Sequence, residues 1–541
     1  MTPSLLRGTV YTAAFALLGL APASAGAQQG LLGSGLDDYM RLRELSADTL
    51  SSAGWNSAFE GRRSAVARRS AKQAGLLPAT AAVYVNTDRP WGVNDGAVWQ
   101  GRGATLALSG GAHAHWGPVS MTIAPLITRS ENRAFELSPL AGAAGYSPYA
   151  YPTLTGLKID SPQRFGPTAV TVADWGQSAI RADIRGVSLG FSHENLWWGP
   201  GYRNAITMTN NAPGFWHAHL GTSRPASIGV GTVKARWIWG SLRESAWFDT
   251  IPSNDRRFIT GAIVSFSPRW APRLEVGGTR TFQQAWRAGG PNLDDILLMA
   301  KPLQKDKQIS GGNPTGEDEQ DQIASLFARW VAPSSGFELY GEWGKGDHST
   351  SFRDLLIQPE HGSGWLFGFQ KVLAPSPAAT WRLLSEVTLL GAPRSTSTRS
   401  GGAGFFYVHG LIPQGHTNRG QVMGAGIGPG SSQALMRLDR FAGWGSAGLS
   451  VMRTVYDNDR FYRQPSPQDR TAHEVEPTFA GDVLVMRGPW DFAASLAGSR
   501  LLNTHYIPRN DRWNVNLALS ARYHPRQAPD RRRRTPSMRL H

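Results

Sequence analysis

From about residue 100 onward, apolar and polar residues alternate with a period of two. Ala104, Leu106 and Leu108 interleave with Thr105, Ala107 and Ser109. Beyond a turn at Gly117-Pro118, Val119, Met121 and Ile123 do the same. Ile180, Ala182 and Ile184 alternate with Arg181, Asp183 and Arg185, and parity flips across Arg185-Gly186 to Val187, Leu189 and Phe191. Successive side chains on a strand point to opposite faces, so these runs predict half-buried strands, the last two joined by a tight hairpin. Trp381 to Leu389 alternates likewise, with Leu384 the exception, and Ala447, Leu449 and Val451 repeat the pattern. Upstream the period differs. Leu36, Tyr39, Met40, Leu42 and Leu45 have helical spacing, as does part of 60–76, so a short helical N-terminal region is expected.

Alternating strands fit either a soluble sandwich or a membrane barrel, and the final strand separates the two. Trp513, Val515, Leu517, Leu519, Ala521 and Tyr523 share one face; Asn514, Asn516, Ala518, Ser520 and Arg522 share the other. Ten steps at about 3.4 Å each span roughly 34 Å. Tilted by ~40°, that projects to about 26 Å, close to the ~25 Å apolar band of an outer-membrane barrel. An aromatic stands at each end, where the bilayer interfaces would lie. Eighteen strands of 9–11 residues need about 160–200 residues, so the span 94–524 leaves ample room for long loops.

Composition narrows the class. The chain has 541 residues and no Cys, which excludes a disulfide scaffold, a Cys-ligated metal and a catalytic thiol. Aromatics at 10% are too many for a disordered chain. No apolar run reaches the ~18 residues of a spanning helix. Arg7, an apolar stretch from Val10 to Leu20 and the small residues Ala21 to Ala27 read as an export signal over 1–27. The organisation expected is therefore 1–27 signal, 28–93 partly helical periplasmic region, 94–524 barrel and 525–541 basic, disordered tail. The net charge of +15 would suggest nucleic acid in a cytosolic protein. Export makes acidic glycans and lipid phosphates the fitting counter-charges, with no nucleic-acid partner.

Several motifs resemble, in their order, the Wzi family of outer-membrane capsule assembly proteins. The strongest runs His193-Glu194-Asn195-Leu196-Trp197-Trp198-Gly199-Pro200-Gly201 and continues at Asn210-Asn211-Ala212-Pro213-Gly214-Phe215. The others are Asn94 to Gly103, Arg164-Phe165-Gly166, Trp175-Gly176-Gln177-Ser178, Glu338 to Trp343, Asn418-Arg419-Gly420-Gln421 and Gly426 to Gly430. The resemblance implies an all-β, large antiparallel barrel of eighteen strands in the cell outer membrane, with a short helical N-terminal part. It also implies a non-enzymatic protein that binds capsular or other surface polysaccharide and attaches it to the cell, beside outer-membrane lipid and other capsule export components. The Arg-rich run after Pro525 departs from the aromatic ending usual for such barrels.

The residues themselves allow more than one chemistry. Trp197 and Trp198 offer indole faces to sugar rings, or belong to an interface girdle or packed loop. Asn195, Asn210 and Asn211 are glycan-contact candidates as well as ordinary turn residues. Arg181, Asp183 and Arg185 are lumen charges that pair with one another or attract acidic polymer. Glu338 and Glu342 share a strand face about 13 Å apart, wider than the ~5–9.5 Å of a glycosidase pair, and read as lumen carboxylates. His217 and His219 share a face but lack the further ligands a metal needs. No nucleophile elbow or phosphate loop is present, and no cofactor is expected. The alternative reading is a porin-like channel with a cationic lumen.

Overall fold

The computed structural model describes residues 72–138, 146–152, 158–300, 320–346, 352–375, 379–393, 405–463 and 471–525, and helical positions Asp38, Arg41, Leu42 and Leu45. The expected signal segment and all of the basic tail but Pro525 lie outside the described residues.

Eighteen antiparallel strands close into a barrel. They are β1 (Lys72–Asn86), β2 (Gly103–Trp116), β3 (Val119–Ile123 with Leu126–Ser130) and β4 (Val170–Asp174 with Ala179–Ile184). There follow β5 (Val187–Ser192), β6 (His217–Thr222 with Ala226–Ser227), β7 (Gly231–Arg243), β8 (Arg256–Pro268) and β9 (Leu274–Ala285). The next five are β10 (Asp321–Ala332), β11 (Phe337–Gly346), β12 (Ser363–Pro375), β13 (Ala379–Leu389) and β14 (Ser432–Ala442). The last four are β15 (Gly445–Val455), β16 (Val475–Arg487), β17 (Trp490–Leu501) and β18 (Arg512–Tyr523). Each pairs with its sequence neighbours, and β1 closes the ring by pairing with both β2 and β18. Closure leaves no edge strand, which spanning sheets require.

The burial pattern is inverted relative to a soluble protein. On β18, Trp513 is 67% exposed while the adjacent Asn514 is 1% exposed. Leu106, Leu108, Ile180, Ile184, Leu189, Phe191, Leu449 and Val451 also face outward. Thr105, Arg181, Ser188 and Thr454 are buried within. An apolar outer wall around a polar interior is what lipid on one side and an enclosed lumen on the other select. The chain is thus an outer-membrane barrel.

Short turns cluster at one end: Gly117-Pro118, Arg185-Gly186, Gly443-Trp444 and Gly488-Pro489. The long connections, such as 193–216 and 390–431, leave the other end. Short turns mark the periplasmic side and long loops the outer side.

Two expectations need correction. The barrel begins at Lys72 rather than at residue 94, so 72–86, expected in the partly helical periplasmic region, is the first strand of the wall. The alternation of β1 is hidden by Leu76-Leu77 and Pro78. Its register with β2 shifts between Leu77 and Thr80, a bulge that takes Pro78 out of the ladder. Arg185 is not a lumen charge: it is exposed in the β4–β5 turn at φ 49°, followed by Gly186 at φ 97°. Two positive-φ residues make the twist-matched two-residue hairpin.

Candidate functional site

The lumen is filled from above by the loops themselves. Loop 193–216 leaves β5, crosses the barrel and reaches the opposite wall at β13. There the Glu386 carboxylate accepts N–H bonds from Tyr202, Arg203 (3.1 Å) and Asn204 (2.9 Å), and the Tyr340 hydroxyl at 3.0 Å. On the way, Ile206 N donates to Glu342 Oε2 at 3.1 Å, and Thr207 Oγ1 meets Thr279 Oγ1 at 2.6 Å. Loop 390–431 enters from β13 and reaches back to β8. There Arg257 donates to the carbonyls of Gly415 (2.6 Å) and Thr417 (2.8 Å). The two loops are tied by His416 Nε2 to Thr207 O (2.7 Å), Tyr407 Oη to Ile206 O (2.7 Å) and Thr209 N to Met423 O (2.6 Å). Backbone removed from bulk water must find such partners, and here wall side chains supply them.

The plug has its own apolar core. Leu196, Trp198, Met208, Phe215 and Met423 pack on inward-facing Ile238, Ile259, Ile263 and Phe327. Ile206, Phe406, Tyr407 and Ile427 pack on Ile323, Tyr340 and Leu366. The irregular Leu384 belongs here as well: with Leu435 and Met452 it makes an apolar patch inside the wall, under Trp91 and Tyr202. An inward leucine is unfavourable in a wet lumen and favourable under a packed loop.

The helical positions Asp38, Arg41, Leu42 and Leu45 lie in the periplasmic half. Leu42 and Leu45 pack on Val331 and Phe441. Asp38 pairs with Arg382 at 2.6 Å, and Arg382 also holds Asp439 at 2.7 Å. Burial alone would raise the Asp38 carboxyl, but the Arg382 and Arg437 guanidiniums hold it below its usual range. Arg41 pairs with Glu338 at 2.9 Å and donates to Gly201 O at 3.1 Å and to Pro200 O. A cavity of about 370 Å³ remains on the β1–β3 and β16–β18 side, beneath Asn94–Val98.

The residues singled out from sequence are therefore mostly engaged in the plug. Trp198 is 0% exposed, and its ring lies against Gly261, where a Cβ would come within 3.1 Å. It is a core residue, not a glycan contact. Asn195 accepts from Gln177 (2.8 Å) and donates to Ala212 O (2.7 Å); Asn211 donates to Val422 O (2.9 Å). Asn210 O accepts from Gly96 N at 2.7 Å, which ties the Asn94 segment into the same structure. Trp197 is half-buried in that loop. Glu338 is held by Arg329 (2.8 Å), Arg41 and Gln370 (2.7 Å). Arg181 pairs with Asp183 at 2.5 Å, so these two charges do meet on the lumen side. The His217 and His219 rings lie 6.4 Å apart, and among the described residues no metal-ligating group of three or more forms.

The other motifs converge on the same plug. Gly176 (φ 53°) interrupts β4, where a Cβ would sit 2.2 Å from Ala124 O, and the break aims Gln177 at Asn195. Arg419 and Gly420 form a positive-φ turn, and Asn418 Nδ2 donates to Pro213 O at 3.1 Å.

Above the plug lies a cap that sequence reasoning missed. Residues 146–152 and 244–255 are joined by Ser147 N to Phe248 O (3.0 Å). Tyr149 and Trp247 meet edge to face at 5.3 Å, and Lys158 Nζ lies 4.0 Å above the Tyr146 ring. All four side chains are half-buried at the outer mouth. Gly166 (φ 76°) permits the packing, since a Cβ there would strike the Trp247 ring at 2.2 Å. The signal available was three Tyr within six positions, 146–151, on a segment that is not a strand.

Residues 74–503 match the family model of the capsule assembly protein Wzi. That span is most of the chain. The chain belongs to the Wzi family. Among solved structures, this family member is similar to Wzi of Escherichia coli, described as an outer membrane protein involved in group 1 capsule assembly and a carbohydrate-binding β-barrel. The TM-score is 0.54 at 11% identity, over 92% of this chain and 94% of that one. A BenF-like porin from Pseudomonas fluorescens gives 0.38 at 10% identity, over 83% and 98%. Comparison with curated protein sequences gives no match.

Proposed function

We propose that this Wzi-family barrel binds surface polysaccharide at its outer mouth and attaches it to the cell without transforming it. The observation that carries this reading is the lumen bridged wall to wall by loops 193–216 and 390–431, beneath an outward cap of Tyr146, Tyr149, Lys158 and Trp247. Half-buried rings give flat apolar area at low entropic cost, and Lys158 supplies a cation for acidic sugars. Each contact is weak, and polymer repeats multiply it. The bridged lumen weighs against the porin-like alternative. Glu338, bonded to Arg41 and Arg329, and Glu342, bonded to the plug at Ile206, are both buried away from any polymer chain at the mouth.

The test is polysaccharide partitioning in a deletion strain, cell-bound against released, with total synthesis recorded. A normal total shifted into the medium is expected. An unchanged partition overturns the reading, and a fall in total polymer moves the role to export.

A further inference from the structure

The outer wall carries a feature that polysaccharide binding does not use. On β7, Ile238 and Leu242 point into the plug core, so Trp237, Trp239 and Arg243 face outward. On β8, Arg257 reaches inward to loop 390–431, so Arg256 faces outward. Arg243 and Arg256 are directly opposed in the β7–β8 ladder at its outer end. Like charges so placed repel. Neither pairs with a carboxylate among the described residues. Arg256 is fixed by Nε donating to Ser241 Oγ (2.8 Å) and by stacking 3.4 Å above the Trp286 ring.

The described part of the β9–β10 connection, residues 286–300, lies against this wall. Leu298 packs on outward-facing Phe258 and Phe282. Trp239 Nε1 donates to Ile296 O at 3.0 Å, and Gln284 donates to Asp295 at 2.6 Å. Trp239 lies four residues below Arg243, so the loop reaches roughly 10 Å beneath the rim at about 3.4 Å per residue and a ~40° tilt. A capping box, Asn292 with Asp295, satisfies the backbone of the short helix Leu293–Ile296. Leu293, Ile296 and Leu297 are left exposed at 67%, 37% and 45%. Arg287, beside Asp295 at 3.1 Å, adds a third guanidinium at the upper edge.

We infer that this ledge is a binding site for a phosphorylated lipid of the outer leaflet. Its phosphate would lie between Arg243, Arg256 and Arg287, and its acyl chains along Leu293, Ile296 and Leu297. A phosphate relieves the opposed guanidiniums and accepts their planar forks. The apolar toe lies at the depth of the acyl chains, and tryptophans suit the interface between the two. Acyl chain and phosphate are both required, which distinguishes the site from one for a free anion.

The experiment uses the full-length protein purified in detergent, with lipid retention read by native mass spectrometry. The probes are bis-phosphorylated lipid A, the same lipid dephosphorylated, and inorganic phosphate alone. At least ten-fold preference for the phosphorylated lipid is expected, with no competition from inorganic phosphate at equal concentration. The Arg243→Gln/Arg256→Gln double variant should lose that preference while keeping the heat-modifiable migration of a folded barrel. Arg256→Gln alone gives the same readout if the double variant fails to fold. Equal retention of both lipids, unchanged preference in the variants, or equal competition by inorganic phosphate overturns the site.

Discussion

Arg41 and Glu338 lie 297 positions apart in the chain and 2.9 Å apart in the molecule. The same guanidinium reaches the carbonyls of Pro200 and Gly201. One side chain thus clamps the periplasmic helix, the wall at β11 and the underside of loop 193–216. Removing one partner of a buried, hydrogen-bonded pair costs about 3 kcal/mol, mostly by stranding the other. Arg41→Ala should therefore release the helix and loosen the plug from below. In a planar bilayer the wild-type barrel should pass almost no current and the variant should show intermittent openings. A variant trace as quiet as wild type would sink the clamp.

Glu386 is the matching anchor on the far wall. Three consecutive backbone N–H groups and one tyrosyl hydroxyl converge on it, so Glu386→Ala leaves several buried donors without an acceptor. Each such donor costs about 1–3 kcal/mol. The thermal transition of the barrel in detergent should fall well below wild type, and Glu386→Gln should fall less because it keeps one accepting oxygen. Equal transitions for the two variants would show that the carboxylate does not organise the loop.

The barrel was legible in the sequence because alternation is local. The last strand alone, with Trp513 and Tyr523 bracketing an apolar face, distinguishes lipid from a second sheet. Leu384 broke the pattern and marked the interior patch beneath Tyr202, though its meaning required the loop that covers it. The plug was not legible. Its bonds join residues such as Ile206 and Tyr407, 201 positions apart, and no spacing rule reaches that far. For the same reason Trp198 invited a ligand reading: a tryptophan in a Gly-Pro turn looks exposed until the strands it packs on, β7, β8 and β10, are known. Arg185 shows a smaller failure, since strand parity says nothing about where a strand ends.

Trp198 and Trp247 should separate stability from binding. Trp198→Ala empties a core site, at about 3–5 kcal/mol for a buried aromatic. It should lower the thermal transition and release polymer only as far as the plug collapses. Trp247→Ala, with Tyr149→Ala, removes cap surface above an intact plug. It should leave the transition within a few degrees of wild type and still shift polysaccharide into the medium. Full retention of polymer by the cap double variant would remove the cap from the binding surface.

The loop carboxylates give the protein a pH dependence that one variant can isolate. Burial pushes the Asp95 carboxyl up to about 7, against the Arg203 charge and the Gln100 hydrogen bond, which lower it. Burial likewise pushes Glu244 and Asp459 up to about 7 and Asp160 up to about 6. In the unfolded chain such groups titrate near 4. Between about pH 4 and 7 the native state holds protons that the unfolded state has released. Their contribution is complete below about pH 4 and is lost as pH rises through 7. His193 and His416, lowered chiefly by burial, act in the opposite sense as pH falls below about 6.5. Asp38, held low, matters only below about pH 4. The clean measure is therefore the difference in thermal midpoint between Asp95→Asn and wild type. It should grow in favour of the variant from pH 4.5 to 7.5 and level off above that, because the amide cannot ionise and the other groups are common to both proteins. A difference that stays flat across that range would mean that Asp95 is ionised and solvated in the native loop.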